Sequence, residues 1–127
     1  MHMQLSERQV GSVTILDLAG KLTIDQDAQR LKDKINSLLL QERTSVILNL
    51  ADVSYIDSGG LGQLVSCYST LAKTTGGLKL LNLTKRNQDL LSITRLLTVF
   101  ETFDSEEEAL GSFSEPPAAT RAASATN

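Results

Sequence analysis

The chain has 127 residues, of which 41% are hydrophobic but only 4% aromatic, and it contains no tryptophan. That length suits one domain that removes roughly two-thirds of its unfolded surface from water, around a core built of Leu, Ile, Val and Ala. Twelve Lys and Arg against 15 Asp and Glu leave a net charge of −3, which gives no basic field to attract nucleic acid. A single cysteine, Cys67, excludes an internal disulfide and, by itself, a multi-thiolate metal site, in keeping with a reducing, cytoplasmic setting. Met1 to Gln4 carry no basic region leading into an apolar run, and no stretch approaches the ~18 apolar residues of a membrane span. The chain is expected to be neither secreted nor inserted.

In chain order, Val10 and then Val13, Ile15 and Leu18 flank Gly11-Ser12, which predicts an opening hairpin of strands over 4–10 and 13–19. Gly20 is expected to end the second strand. From Asp25 or Asp27 onward, Ala28, Leu31, Ile35, Leu38 and Leu39 recur at helical spacing, with acidic residues in the first turn. Val46 to Leu50 is a nearly unbroken apolar run, the signature of a central strand covered on both faces. Ala51 to Ile56 reads as turn-like. Leu61, Leu64, Val65, Tyr68, Leu71 and Ala72 then form the clearest helical stripe in the chain, with Gly76-Gly77 as its stop.

Leu78 to Leu83 predicts a further strand, and Leu90, Leu91, Leu96 and Leu97 a shorter helical region, with Val99-Phe100 as a small edge strand. Asp104-Ser105-Glu106-Glu107 is a good helix start leading to Ala109, Leu110 and Phe113. Beyond Ser114 the sequence turns to Pro, Ala, Ser and Thr, with little that can anchor in a core. The expected organisation is one α/β domain over 1–113 and a disordered tail over 114–127. Its architecture is a mixed sheet of four to five strands, opened by the hairpin and packed with about four helices, the later strands joined by right-handed crossovers.

The informative segment is Ile56-Asp57-Ser58-Gly59-Gly60-Leu61-Gly62, between the central strand and the strongest helix, where open α/β sheets place functional loops. Ser58 reads as a natural N-cap, and Gly59 and Gly60 as permission for a tight turn. A helix start alone would account for both. The same geometry would also place a phosphate on Ser58 against the free amides and positive end of the helix dipole. Phosphorylation would add about −1.5 to −2 charges next to Asp57. A docked partner would then meet bulk and repulsion while the domain stays folded.

The run Leu48 to Gly62 resembles the signature of the anti-sigma factor antagonist (STAS) domains. Leu18-Ala19-Gly20-Lys21-Leu22 is similar to that family's strand-end motif, and Gly76 to Leu80 to its second-helix stop and next strand. The resemblance spans roughly residues 4–113 and implies the STAS fold and a bacterial partner switch. In that switch the unphosphorylated antagonist binds an anti-sigma factor that is also a serine kinase and so frees a sigma factor. Phosphorylation at the position matching Ser58 ends the binding, and a separate PP2C-type phosphatase reverses it. ATP and Mg²⁺ belong to the kinase, so the resemblance implies no catalysis and no cofactor in this chain, which is expected to be a cytoplasmic monomer. The partner-binding residues it implies are Thr23, Asp25, Asp57, Ser58, Gly59, Gly60, Leu61 and Gly62. Two departures stand out: Gly59 occupies a place where the family often has a second hydroxyl, leaving Ser58 as the one acceptor in the loop. Thr23 stands where the family commonly has an acidic residue.

Rival chemistries lack their parts. A nucleophile-elbow hydrolase needs a histidine base, and the only histidine is His2. No Gly-Lys-Ser/Thr follows the glycines, so the loop is not a P-loop. A receiver-type phosphoaspartate at Asp57 lacks an acidic pair near the first strand and a suitably placed lysine. Cys67 lies beside an apolar stripe and reads as packing, and Glu106 to Glu108 as a dipole-compatible helix start. The alternative within the family is a STAS adaptor subunit of a lipid-transport ATPase complex, which needs no phosphorylation. The cytoplasmic domain of an anion transporter would need membrane segments that the sequence does not contain.

Overall fold

The computed structural model describes residues 3–24 and 26–114; Met1, His2, Asp25 and the segment 115–127 lie outside the described residues. Five strands, β1 (Gln4–Val10), β2 (Val13–Leu22), β3 (Ser45–Ile56), β4 (Gly77–Leu81) and β5 (Glu101–Phe103), form one sheet in the order β1-β2-β3-β4-β5. Four helices, α1 (Gln26–Leu40), α2 (Ser58–Ala72), α3 (Lys85–Ile93) and α4 (Glu106–Ser114), complete the described residues. The first pair is an antiparallel hairpin turning at Gly11, whose φ of 61° suits glycine, and every later pair is parallel. This is the mixed sheet expected from the apolar pattern. None of the helices is long and apolar enough to cross a membrane.

Alternation along β3 explains the layering. Val46, Leu48 and Leu50 point into the larger core with Leu31, Ile35 and Leu38 of α1, Leu64, Cys67 and Leu71 of α2, and Leu91 of α3. Ile47 faces the other side, where Val13, Ile15, Leu81 and Ala109 of α4 form a smaller core. Cys67 is buried among these apolar neighbours, and burial pushes its thiol pKa up, as befits a packing residue. On the smaller-core side Arg8 pairs with Asp17 across the hairpin (2.6 Å) and with Glu106 of α4 (2.9 Å). The Arg8 guanidinium holds the Asp17 carboxyl below the usual carboxylate range.

Several boundaries differ from the sequence reading, each for a local reason. Gly20 does not end β2: with φ 106° it carries the strand on to Leu22. Ala51 to Ile56 is not a turn but the second half of β3, paired to β2 from Ala19↔Asp52 to Leu22↔Ile56. Between Asp17↔Asn49 and Ala19↔Asp52, and again between Gly20↔Val53 and Lys21↔Tyr55, β3 spends one residue more than β2. These bulges break the period-2 pattern and leave only Val53 and Ile56 buried there. α2 stops at Ala72 with Lys73 as its C-cap, before Gly76-Gly77. A Cβ on Gly76 would lie 2.1 Å from the Thr44 carbonyl oxygen, so this glycine serves close backbone approach. Leu96 and Leu97 lie beyond α3, whose C-cap is Thr94, and the edge strand forms at Glu101–Phe103 instead of Val99-Phe100. Ser114 belongs to α4.

Glycine contacts at two sites predict opposite mutational signs. Gly76→Ala should lower unfolding free energy by about 1–3 kcal/mol, because the new methyl meets backbone. Gly111→Ala, whose Cβ meets nothing within 4 Å inside α4, should raise it by roughly 0.5–1 kcal/mol. Urea denaturation of both variants checks the pair, and equal effects would contradict the contact reading.

Candidate functional site

The parallel register of β2 and β3 builds the site. Because Leu22 pairs with Ile56, both strands end at one level and the residues that follow them, Thr23-Ile24 and Asp57-Ser58, are brought side by side. The Asp57 N–H donates to the Leu22 carbonyl (3.1 Å), extending the ladder by one bond. The Asp57 carboxylate then serves both neighbours: Oδ1 accepts from Gly60 N (2.7 Å) and Oδ2 from Ile24 N (3.1 Å).

Asp57, not Ser58, is therefore the N-cap of α2, with extended backbone angles (φ −89°, ψ 179°). Both residue types suit a cap, and the bulged β3 places the aspartate there. Ser58 becomes the first helical residue, exposed to solvent and free of any capping duty. Gly59 and Gly60 were expected to permit a tight turn, but neither has positive φ. They are close-approach residues: a Cβ on Gly59 would sit 2.2 Å from Cβ of Ile24, and one on Gly60 2.2 Å from the Leu22 carbonyl oxygen. Leu61 is half-buried against the main core, whereas Gly62 is exposed and its absent Cβ would meet nothing within 4 Å.

Of the residues singled out in the sequence, Thr23, Asp57, Ser58, Gly59 and Gly60 meet in one patch, with Leu61 beneath and Gly62 one turn along. Thr23 is half-buried, and its carbonyl accepts from Ala28 N (3.0 Å) at the start of α1. Asp25 lies outside the described residues. Sequence reasoning missed Ile24, which is 72% exposed and rests on Gly59. Its signal was an isoleucine ahead of the α1 stripe begun by Ala28, with no place in that helix's buried face. The exposed side of α2 continues from Ser58 and Gly62 to Ser66 and Ser69, all small residues. No cluster of three or more metal-ligating side chains occurs among the described residues.

The patch presents an exposed hydroxyl, Ser58, beside an exposed aliphatic side chain, Ile24. The STAS domain model matches residues 4–109. The anti-sigma-B factor antagonist of Bacillus subtilis is 31% identical over 101 residues, covering 80% of this chain and 91% of that protein. The protein of the same name from Listeria monocytogenes is 28% identical over 111 residues, covering 87% and 96%. Among solved structures, an anti-sigma factor antagonist from Mycobacterium paratuberculosis superposes with a TM-score of 0.77 at 19% identity, over 89% of this chain and 95% of that one. The Bacillus cell fate determinant SpoIIAA in its phosphorylated form gives 0.68 at 23%, over 85% and 97%. These two structural likenesses carry the fold. The chain belongs to the STAS domain family.

The double role of Asp57 yields a graded expectation. Asp57→Ala should cost about 1–2 kcal/mol of stability, the usual loss for a capping carboxylate, and should speed hydrogen exchange at the Ile24 and Gly60 amides together. Asp57→Asn keeps one acceptor oxygen and should lose less. Unchanged exchange at Ile24 in Asp57→Ala would refute the shared clamp.

Proposed function

We propose that this protein is an anti-sigma factor antagonist that binds an anti-sigma factor/serine kinase when unphosphorylated, thereby releasing a sigma factor, and that phosphorylation of Ser58 switches it off. The observation that carries this reading is the division of labour in the loop. Asp57 performs the cap, so the Ser58 hydroxyl is exposed and unused by the fold. A kinase can reach it, and modification removes no structural bond.

The charge balance gives the switch its direction. A phosphate at the first helical position faces the helix N-terminus, where amides lacking intrahelical partners offset part of its cost. A partner packed on Ile24, Ser58 and Gly62 has no such compensation, and like charges brought together across an interface cost several kcal/mol. The relatives named anti-sigma-B factor antagonist support the antagonist role. SpoIIAA has been solved in both its unphosphorylated and its phosphorylated form, and both share this fold, which supports the phosphoswitch reading. In this reading the chain is a substrate and ligand without catalysis of its own. ATP is bound by the kinase, a PP2C-type phosphatase restores the active form, and the antagonist works as a cytoplasmic monomer.

With the cognate anti-sigma factor and ATP, mass spectrometry should find phosphate on Ser58. By titration calorimetry Ser58→Asp should bind that partner about 100-fold more weakly, close to 2.8 kcal/mol at ~1.4 kcal/mol per decade, while Ser58→Ala binds as wild type. Equal affinity for the two variants, or phosphate mapped to another residue, would refute the switch.

A further inference from the structure

Beyond Asn49, β3 has a strand neighbour on one side only. β4 pairs with it as far as Asn49↔Leu81, whereas β3 runs on to Ile56 and bulges twice against β2 on the way. Backbone groups freed by a bulge or by the end of a neighbouring strand need other partners. Side chains supply them here. Asn49 is the last paired residue before the first bulge; its Oδ1 accepts from Ala51 N (3.2 Å), within the bulge, and its Nδ2 donates to Asp17 Oδ1 (2.8 Å) on β2. Between the two bulges, the Val53 carbonyl accepts from Nδ2 of Asn87 (2.9 Å) on α3.

Both amides are fixed in orientation. Asn49 cannot be reversed, because the Asp17 carboxylate has no hydrogen to give and Ala51 N needs an acceptor. Arg8 holds that carboxylate through Nε (2.6 Å) and Nη2 (3.0 Å), and Asn82 Nδ2 also donates to Asn49 Oδ1 (3.3 Å). Asn87 is 1% exposed, and its Oδ1 has no hydrogen-bond partner among the described residues. Burying an amide half-satisfied is costly, and an apolar side chain of similar size would avoid that cost. What the amide contributes is its bond to Val53.

The bulges decide what arrives at the end of β3. Each moves the pairing by one residue, and a one-residue slip turns every following side chain to the other face. Without the two bulges the pairing would set Ser54 against Leu22 in place of Ile56. Asp57 would then lie beyond the Leu22 carbonyl that its N–H now meets (3.1 Å), and its clamp on Ile24 and Gly60 would be lost.

We infer that Asn49 and Asn87 are positioning residues for the Ser58 loop. Acting through the backbone of β3, they hold the bulged register that delivers Asp57 as the cap and keeps the Ser58 hydroxyl out of it. The functional weight of this inference rests on the phosphoswitch reading; the geometry does not. Burial of Val53 and Ile56 favours the same register, so the experiment must separate the two causes.

Amide hydrogen exchange of the full chain, with no partner present, is compared in wild type, Asn49→Ala, Asn87→Leu, Asn49→Asp, and Asn49→Asp combined with Asp17→Asn. Rates at Ile24 and Gly60 are scaled to those at Leu38 of α1 and Leu71 of α2, which report global stability. In Asn49→Ala and Asn87→Leu the scaled rates should rise about tenfold, a local opening on top of any global one. Asn49→Asp sets two carboxylates face to face and should act in the same direction. The double variant restores a donor between positions 17 and 49, keeps an acceptor for Ala51 N, and should return both amides to within about twofold of wild type. Scaled rates equal to wild type in Asn49→Ala and Asn87→Leu overturn the inference and leave the register to apolar burial. Absence of recovery in the double variant overturns the part assigned to Asn49. Should Asn49→Ala fail to fold, Asn87→Leu and the carboxylate exchange decide. Because no kinase takes part, failure here leaves the phosphoswitch standing, and absence of phosphate on Ser58 leaves these exchange rates unchanged.

Discussion

One carboxylate organises the functional end of this molecule. Asp57 caps α2 through one oxygen and holds the backbone of Ile24 through the other, so the loop after β2 is tied to the first turn of α2. Without that clamp the two loops would be joined only through the sheet and the contact of Ile24 with Gly59. With it, a large exposed aliphatic side chain and an exposed hydroxyl are held side by side on one preformed surface. The glycines complete the arrangement by absence: side chains at positions 59 and 60 would push the loop and helix apart.

The clamp depends on register. Parallel pairing brings β2 and β3 to a common end, and the bulges of β3 determine which residue arrives there as cap. The opposite face, closed by α4 and the Arg8 ion pairs, anchors the sheet without entering the site.

Much of this was legible in the sequence wherever a regular period was present. The stripes of α1 and α2, the apolar run of β3 and the Gly11 hairpin follow simple spacing, and the loop from Asp57 to Gly62 stood out by position and composition. The rest was hidden for physical reasons. Bulges disguised the second half of β3 as a turn, and a lone Gly20 looked like a strand breaker when it was a strand residue with positive φ. Adjacent Asp57 and Ser58 are both good caps, and only the pairing with β2 decides between them. That decision matters, since it frees the serine. Ile24 left only an isoleucine out of step with the α1 stripe as its signal, and Asn87 left none, because their contacts run across 33 and 34 residues of chain.

The central claim is that charge placed on Ser58 changes a surface and leaves the fold intact. It is tested most directly by an amide chemical-shift map of the stoichiometrically Ser58-phosphorylated protein against the unmodified one. Shifts confined to Ile24, its loop neighbours and residues 57–62, with the sheet and remaining helices unmoved, are the predicted result. Loss of dispersion, or displacement spreading through β3 and the core, would contradict it.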